Sequence, residues 1–97
     1  MGRVDRFRQA EEDLLSIAEF IARDKPSAAV RWLDEIEQKL ALLCQQPYMG
    51  EAVDHIRAGL RRVTHGNYLI FYEPRDSGIL LVRVLHGTRR IEDVFKS

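Results

Sequence analysis

The chain has 97 residues, 45% of them apolar and 31% charged, and its 15 Lys/Arg balance its 15 Asp/Glu. That length builds one domain around a modest core, and no apolar run approaches the roughly 18 residues of a membrane span, so no membrane contact is expected. Arg3-Val4-Asp5-Arg6 leads into no apolar stretch of the kind a secretory signal needs, which makes the cytoplasm the expected compartment.

Residues 3–8 read as a short strand, with polar residues between Val4 and Phe7. From Gln9 the period changes. Ala10, Leu14, Ile17, Ala18 and Ile21 recur at helical spacing and mark one face of a helix over residues 9–24. Glu11, Glu12 and Asp13 are expected in its first turn, where the helix dipole favours negative charge. Pro26 disfavours helical geometry in Lys25 and ends it. Ser27 then offers a side-chain oxygen as N-cap for a second helix over residues 27–45. The stripe of that helix, Ala29, Trp32, Leu33, Ile36, Leu40 and Leu43, is the clearest period in the chain. So short a link predicts an antiparallel helical hairpin.

After Gly50 the pattern becomes extended, predicting strands near residues 60–65, 68–74 and 78–86. Gly66-Asn67 is a tight-turn signal and residues 74–78 a longer one, so the three strands form an antiparallel meander. In the last strand Leu80, Val82 and Val84 are expected on one face and Ile79, Leu81, Arg83 and Leu85 on the other; two apolar faces predict a central strand. Ile91, Val94 and Phe95 give the tail one apolar side with which to fold back. Gly50 and Gly87 are expected to supply backbone freedom at turns. The predicted architecture is α+β, a single domain over residues 1–97 in the order β-α-α-β-β-β, with the helical hairpin packed on one face of a small antiparallel sheet.

The lone Cys44 excludes an internal disulfide, and with three scattered histidines it gives no zinc-ligand spacing, so neither metal nor other cofactor is expected. The zero net charge hides an asymmetry. Residues 1–54 hold seven Lys/Arg against eleven Asp/Glu, and residues 55–97 hold eight against four together with His55, His65 and His86. Either the helices simply carry more acids, or the basic half faces an acidic or phosphate-rich target.

Taken in order, three groups of residues resemble the RelE/ParE family of type II toxins over nearly the whole chain. The first is Ala10-Glu11-Glu12-Asp13-Leu14 with Ile17 and Phe20-Ile21. The second is Ala28-Ala29 with Arg31, Ile36, Leu40, Leu43, Pro47 and Gly50. The third is Leu60-Arg61, Tyr68, Ile70-Phe71-Tyr72 and the run from Arg83 to Arg89. Val84-Leu85-His86-Gly87 followed by Arg89 is more similar to the ParE branch than to the ribosome-dependent nucleases.

Two activities follow from that resemblance. Similarity to ParE implies a toxin without chemistry of its own, which binds DNA gyrase and traps its broken-DNA state so that replication stalls. Similarity to RelE implies an endoribonuclease that cuts mRNA on the ribosome. A nuclease would draw on His86 for proton transfer, on Arg61 and Arg89 for the phosphate and on Tyr72 as a donor. Strand alternation is expected to put Arg83 and His86 on opposite faces, and a neutral domain is not expected to bind nucleic acid strongly by itself. Gyrase inhibition is therefore the expected activity and the nuclease the alternative. Arg61, Arg83 and Arg89 are the expected contacts to the target, with plain solvation or ion pairing as their other reading.

The resemblance also implies a cognate antitoxin. Leu15 and Phe20 on the first helix and Val30 and Leu42 on the second lie off the main stripes. Either they complete the core or they line one groove for an amphipathic antitoxin helix. On the groove reading, Arg61, Arg62 and Arg83 receive acidic residues of the partner where it crosses the sheet.

Overall fold

The computed structural model describes residues 2–96. The chain begins as β1 (Arg3–Arg6) and turns into the helices α1 (Arg8–Asp24) and α2 (Pro26–Gln45). It continues through β2 (Glu51–Ala52), β3 (Arg61–His65), β4 (Tyr68–Arg75) and β5 (Gly78–His86) to a single helical turn, α3 (Ile91–Val94). The five strands form one sheet in the order β1-β5-β4-β3-β2.

Both long helices and the three long strands lie where the sequence places them. Their caps differ. Ser27 is already inside α2; Lys25 is the capping residue, without a side-chain bond, and Pro26 occupies the first turn. Proline has no N–H to leave unpaired there and its fixed φ suits the position, so the helix needs no hydroxyl to start. In α1 only Glu11 of the three expected acids falls in the first turn; Asp13 lies further along and has another use.

The sheet is mixed rather than purely antiparallel. β1 pairs in parallel with β5, from Arg3 opposite Gly78 to Arg6 opposite Leu81, while the other pairings are antiparallel. The helical hairpin separates β1 from the meander in sequence, and that crossover lets β1 lie beside β5 in the same direction. Gly78 permits the approach: a Cβ there would collide with the backbone of Arg3. Gly50 likewise serves by its size. Its φ is not positive, and a Cβ would stand 2.6 Å from the Tyr72 hydroxyl.

The faces of β5 do not alternate as expected. Phe71 pairs with Arg83 but Tyr72 pairs with Leu81, so Val82 is an extra residue. This bulge flips the alternation after it. Ile79, Leu81 and Val84 therefore face the helices with Trp32, Ile36, Leu40 and Leu43. Leu80, Val82 and Leu85 face the opposite layer with Val53, Leu60 and Phe71. β5 is central, as its two apolar faces predict. The second layer is closed by Ile56 and by Ile91, Val94 and Phe95 of the tail, with the Phe71 and Phe95 rings 5.0 Å apart.

Candidate functional site

A cleft of about 480 Å³ lies between α1 and the C-terminal half of β5. It exists because β1 stops at Arg6 while β5 runs on to His86. Gln9, Asp13, Ser16, Ile17 and Phe20 come from α1, and Tyr68 and residues 83–86 come from the sheet, with Arg89 at the rim. Phe20 is 64% exposed. Tyr68 stands edge-on between Trp32, at 5.3 Å, and His86, at 5.2 Å.

Asp13 organises the floor. Its carboxylate accepts from Arg83 Nε at 2.7 Å and Arg83 Nη2 at 3.0 Å, and its Oδ2 also accepts the Val84 backbone N–H at 3.0 Å. A side chain of α1 thus takes the hydrogen bond that a longer β1 would have made. Two-point contact with the guanidinium fixes Arg83 in one orientation. Arg83 and His86 leave β5 on opposite faces, as strand alternation predicts, because the bulge precedes Arg83 and residues 83–86 pair regularly with β4. Arg83 joins the cleft by reaching across the open edge of β5 to Asp13. His86 Nδ1 bonds Thr88 Oγ1 at 2.8 Å and accepts the Thr88 N–H at 3.2 Å, so the ring braces the turn after β5.

A second polar cluster lies at the other end of β4. Arg61 Nη1 donates to Gly50 O at 2.6 Å and Tyr48 O at 3.2 Å, with its guanidinium 4.9 Å from the centre of the Tyr48 ring. The Tyr72 hydroxyl donates to Pro47 O at 2.7 Å and accepts the Gly50 N–H at 2.9 Å. Burial pushes the Tyr72 phenol above the ordinary tyrosine value, so it stays a donor. Together the two side chains pin residues 47–50 and present Tyr48 and Met49 to solvent. Arg62 pairs with Glu51 at 2.6 Å.

The residues singled out as a possible nuclease set are not brought together. His86 lies opposite Tyr68, and Tyr72 is four residues further along β4, about 13 Å away at strand spacing. Arg61 pairs with Tyr72 and both are committed to the loop; Arg89 stays with His86. Of the three expected target arginines, Arg61 and Arg83 have internal partners and Arg89 is exposed, with no ion pair among the described residues. Among the described residues no cluster is placed to hold a metal ion, and no helix is long and apolar enough to cross a membrane.

A family model described as "ParE toxin of type II toxin-antitoxin system, parDE" matches residues 7–91. The chain belongs to the ParE toxin family. Among curated ParE proteins it is 34% identical over 59 residues to Toxin ParE1 of Mycobacterium tuberculosis (strain ATCC 25618 / H37Rv), covering 60% of each chain. It is 29% identical over 58 residues to Toxin ParE1 of Caulobacter vibrioides, covering 60% of this chain and 59% of that one. The aligned part thus spans about 60% of the length of these ParE relatives. A solved structure described as "Chromosomal ParDE TA system from P. aeruginosa" shares the fold at a TM-score of 0.72 and 19% identity, covering 89% of this chain and 96% of that one. Membership of the ParE family agrees with the resemblance carried by Val84 to Arg89.

The four off-stripe apolar residues are all exposed in this ParE fold: Leu15, Phe20, Val30 and Leu42. They do not line one groove. Leu15 and Phe20 are five residues apart, about 140° around the helix, and Phe20 faces the β5 cleft. Arg6, which bonds Glu37 at 2.7 Å and feels the charge of Glu11, stands between the two helices. Leu15 lies one turn along from Glu11, and Val30 two turns back from Glu37, so these two share the side where α1 and α2 face each other. Leu42 lies about 120° around α2 from Val30. Sequence reading missed Asp13 as the anchor of β5. An acid on the cleft side of α1 and an arginine on a distant strand carry no local signal of pairing.

Proposed function

We propose that this ParE-family chain acts by binding rather than by chemistry. It engages DNA gyrase in the cytoplasm, holds it in its broken-DNA state and so stalls replication, until a ParD-type antitoxin removes it. The carrying observation is the commitment of Arg61 and Tyr72 to pinning residues 47–50, about 13 Å along the sheet from His86. A nuclease needs its proton donor, proton acceptor and phosphate-holding cations around one bond, and these groups serve two separate places. The zero net charge supports the same reading, because tight nucleic-acid binding needs a basic surface.

Within this reading Arg89 is the target contact, while Arg61 and Arg83 shape the surfaces beside it. The antitoxin lies over Leu15 and Val30 with an amphipathic helix, and Arg62 at the sheet receives its acidic residues in place of Glu51, beside an Arg61 that stays on its loop. The deciding experiment sets the purified chain against gyrase supercoiling and against mRNA on ribosomes. Loss of supercoiling with intact mRNA is expected. Codon-dependent mRNA cuts that vanish in His86→Ala would overturn the binding mechanism.

A further inference from the structure

β5 is covered on one side over only half its length. β1 pairs with it from Gly78 to Leu81 and then leaves for α1; the Phe7 N–H makes the last bond, to Leu81 O at 3.0 Å. The pairing with β4 fixes which backbone groups face the uncovered side. Gly87 N–H bonds Asn67 O at 2.8 Å, in register with the Leu69–Leu85 and Phe71–Arg83 pairs. Antiparallel pairs alternate between bonded and non-bonded, so Leu85 and Arg83 bond to β4, while Val84 and His86 point both backbone groups away from it. Val84 N–H is held by Asp13, and His86 O accepts the Arg89 N–H at 3.0 Å. Val84 O and His86 N–H have no partner among the described residues. They open into the cleft between β5 and α1.

We propose that this edge seats an extended segment of the antitoxin, running parallel to β5 in the direction β1 itself takes; the inference rests on the antitoxin reading above. In a parallel ladder one residue donates its N–H to a carbonyl and accepts from the N–H two residues on. Val84 O and His86 N–H offer that pattern around Leu85. An antiparallel segment fits poorly: opposite Val84 it would set its own carbonyl against the Asp13 carboxylate. Opposite His86 its N–H would meet a carbonyl that already has a donor.

Strand alternation specifies the segment further. The residue opposite Leu85 points away from the helices, and its neighbours point toward Ile17 and the exposed Phe20. Asp13 and Arg83 offset each other's charge, which leaves Arg89 as the net charge of the cleft, apart from His86. The segment therefore carries an apolar side chain against Phe20 and an Asp, Glu or terminal carboxylate within reach of Arg89.

The test uses the full chain with a co-expressed ParD-type antitoxin. Amide hydrogen exchange of His86 is compared between the free chain and the complex, and affinity is measured for His86→Pro and His86→Ala. Proline removes the N–H while leaving the β4 ladder intact, and alanine removes only the ring. Slowed His86 exchange in the complex is expected, with affinity down about tenfold for proline and within about threefold of the original for alanine. If His86→Pro does not fold, the exchange measurement on the unaltered chain decides. A complex that forms with unchanged His86 exchange overturns the edge proposal and leaves the antitoxin reading standing. Equal losses for proline and alanine assign the contact to the ring and overturn the ladder. His86 protection that rises with concentration of the chain alone assigns the edge to a second copy, which also overturns it. Failure to form any complex removes the antitoxin reading and this inference with it.

Discussion

Tyr72 joins two backbone groups that would otherwise be unpaired in a protected place, the Gly50 N–H and the Pro47 carbonyl. Replacing it with phenylalanine keeps the ring and strands both, so Tyr72→Phe is expected to cost about 1–3 kcal/mol in denaturant unfolding. The phenol also links stability to pH. Its folded value lies above the ordinary one because of burial. The contribution is therefore complete below about pH 10 and is lost as pH rises through the folded value. Alkaline unfolding of Tyr72→Phe should lack that part of the slope. Trp32 presents the opposite case: its Nε1 is buried without a partner among the described residues. Trp32→Phe removes that unpaired donor with some of the packing, so a loss under about 2 kcal/mol is expected, against roughly 3–5 for Trp32→Ala. A Trp32→Phe loss as large as the alanine one would mean that the indole N–H is bonded after all.

At the scale of elements, β5 depends on a helix to finish its edge. Asp13→Ala leaves Arg83 without its carboxylate and Val84 without an acceptor, in surroundings where both Asp13 and Arg83 are largely shielded from water. A loss of roughly 3 kcal/mol is expected, with faster exchange of the Val84 amide; Asp13→Ala at unchanged stability would show that the edge holds itself. The elements themselves are legible in the sequence because each is written locally. The stripe from Ala29 to Leu43 has helical spacing, Pro26 stops one helix and starts the next, and Gly66-Asn67 turns between strands. What could not be read depends on tertiary pairing. β1 lies parallel to β5 only because both are brought together across the hairpin, and the bulge at Val82 is invisible in a run of aliphatic residues. That one extra residue moved Val84 to the helix face, and Arg83 enters the cleft only by bonding Asp13 across the open edge of β5. Phe20, Arg83, His86 and Arg89 are thus singled out from the sequence, but Asp13, which anchors Arg83 in the cleft, is not.

The whole molecule is a sheet with apolar layers on both faces, and the two are covered unequally. Two long helices close one layer; residues 53–60 and the single turn of α3 close the other. Deleting residues 91–96 would bare Phe71, Val82 and Leu85, so the truncated chain is expected to bind a hydrophobic dye and to aggregate while keeping its far-ultraviolet signature. Full solubility of that truncation would show that the tail is not part of the closure. The acidic and basic halves give the surface a charge asymmetry despite a net charge of zero. Association with a charged partner should accordingly slow as salt is raised.

The register of Arg3 against Gly78 has a consequence during synthesis. The last strand to be made, β5, lies inside the sheet between β1 and β4, so until residue 86 has left the ribosome those two have nothing to join them. A helical hairpin can form earlier from local contacts, but the sheet must wait for pairings distant in sequence. A ribosome stalled before β5 emerges should therefore display a protease-sensitive chain, one that switches to resistance over a few residues of further elongation. If the chain acts as proposed, it would be harmless for nearly the whole of its own translation, and an antitoxin already present would meet it at the moment it first takes shape.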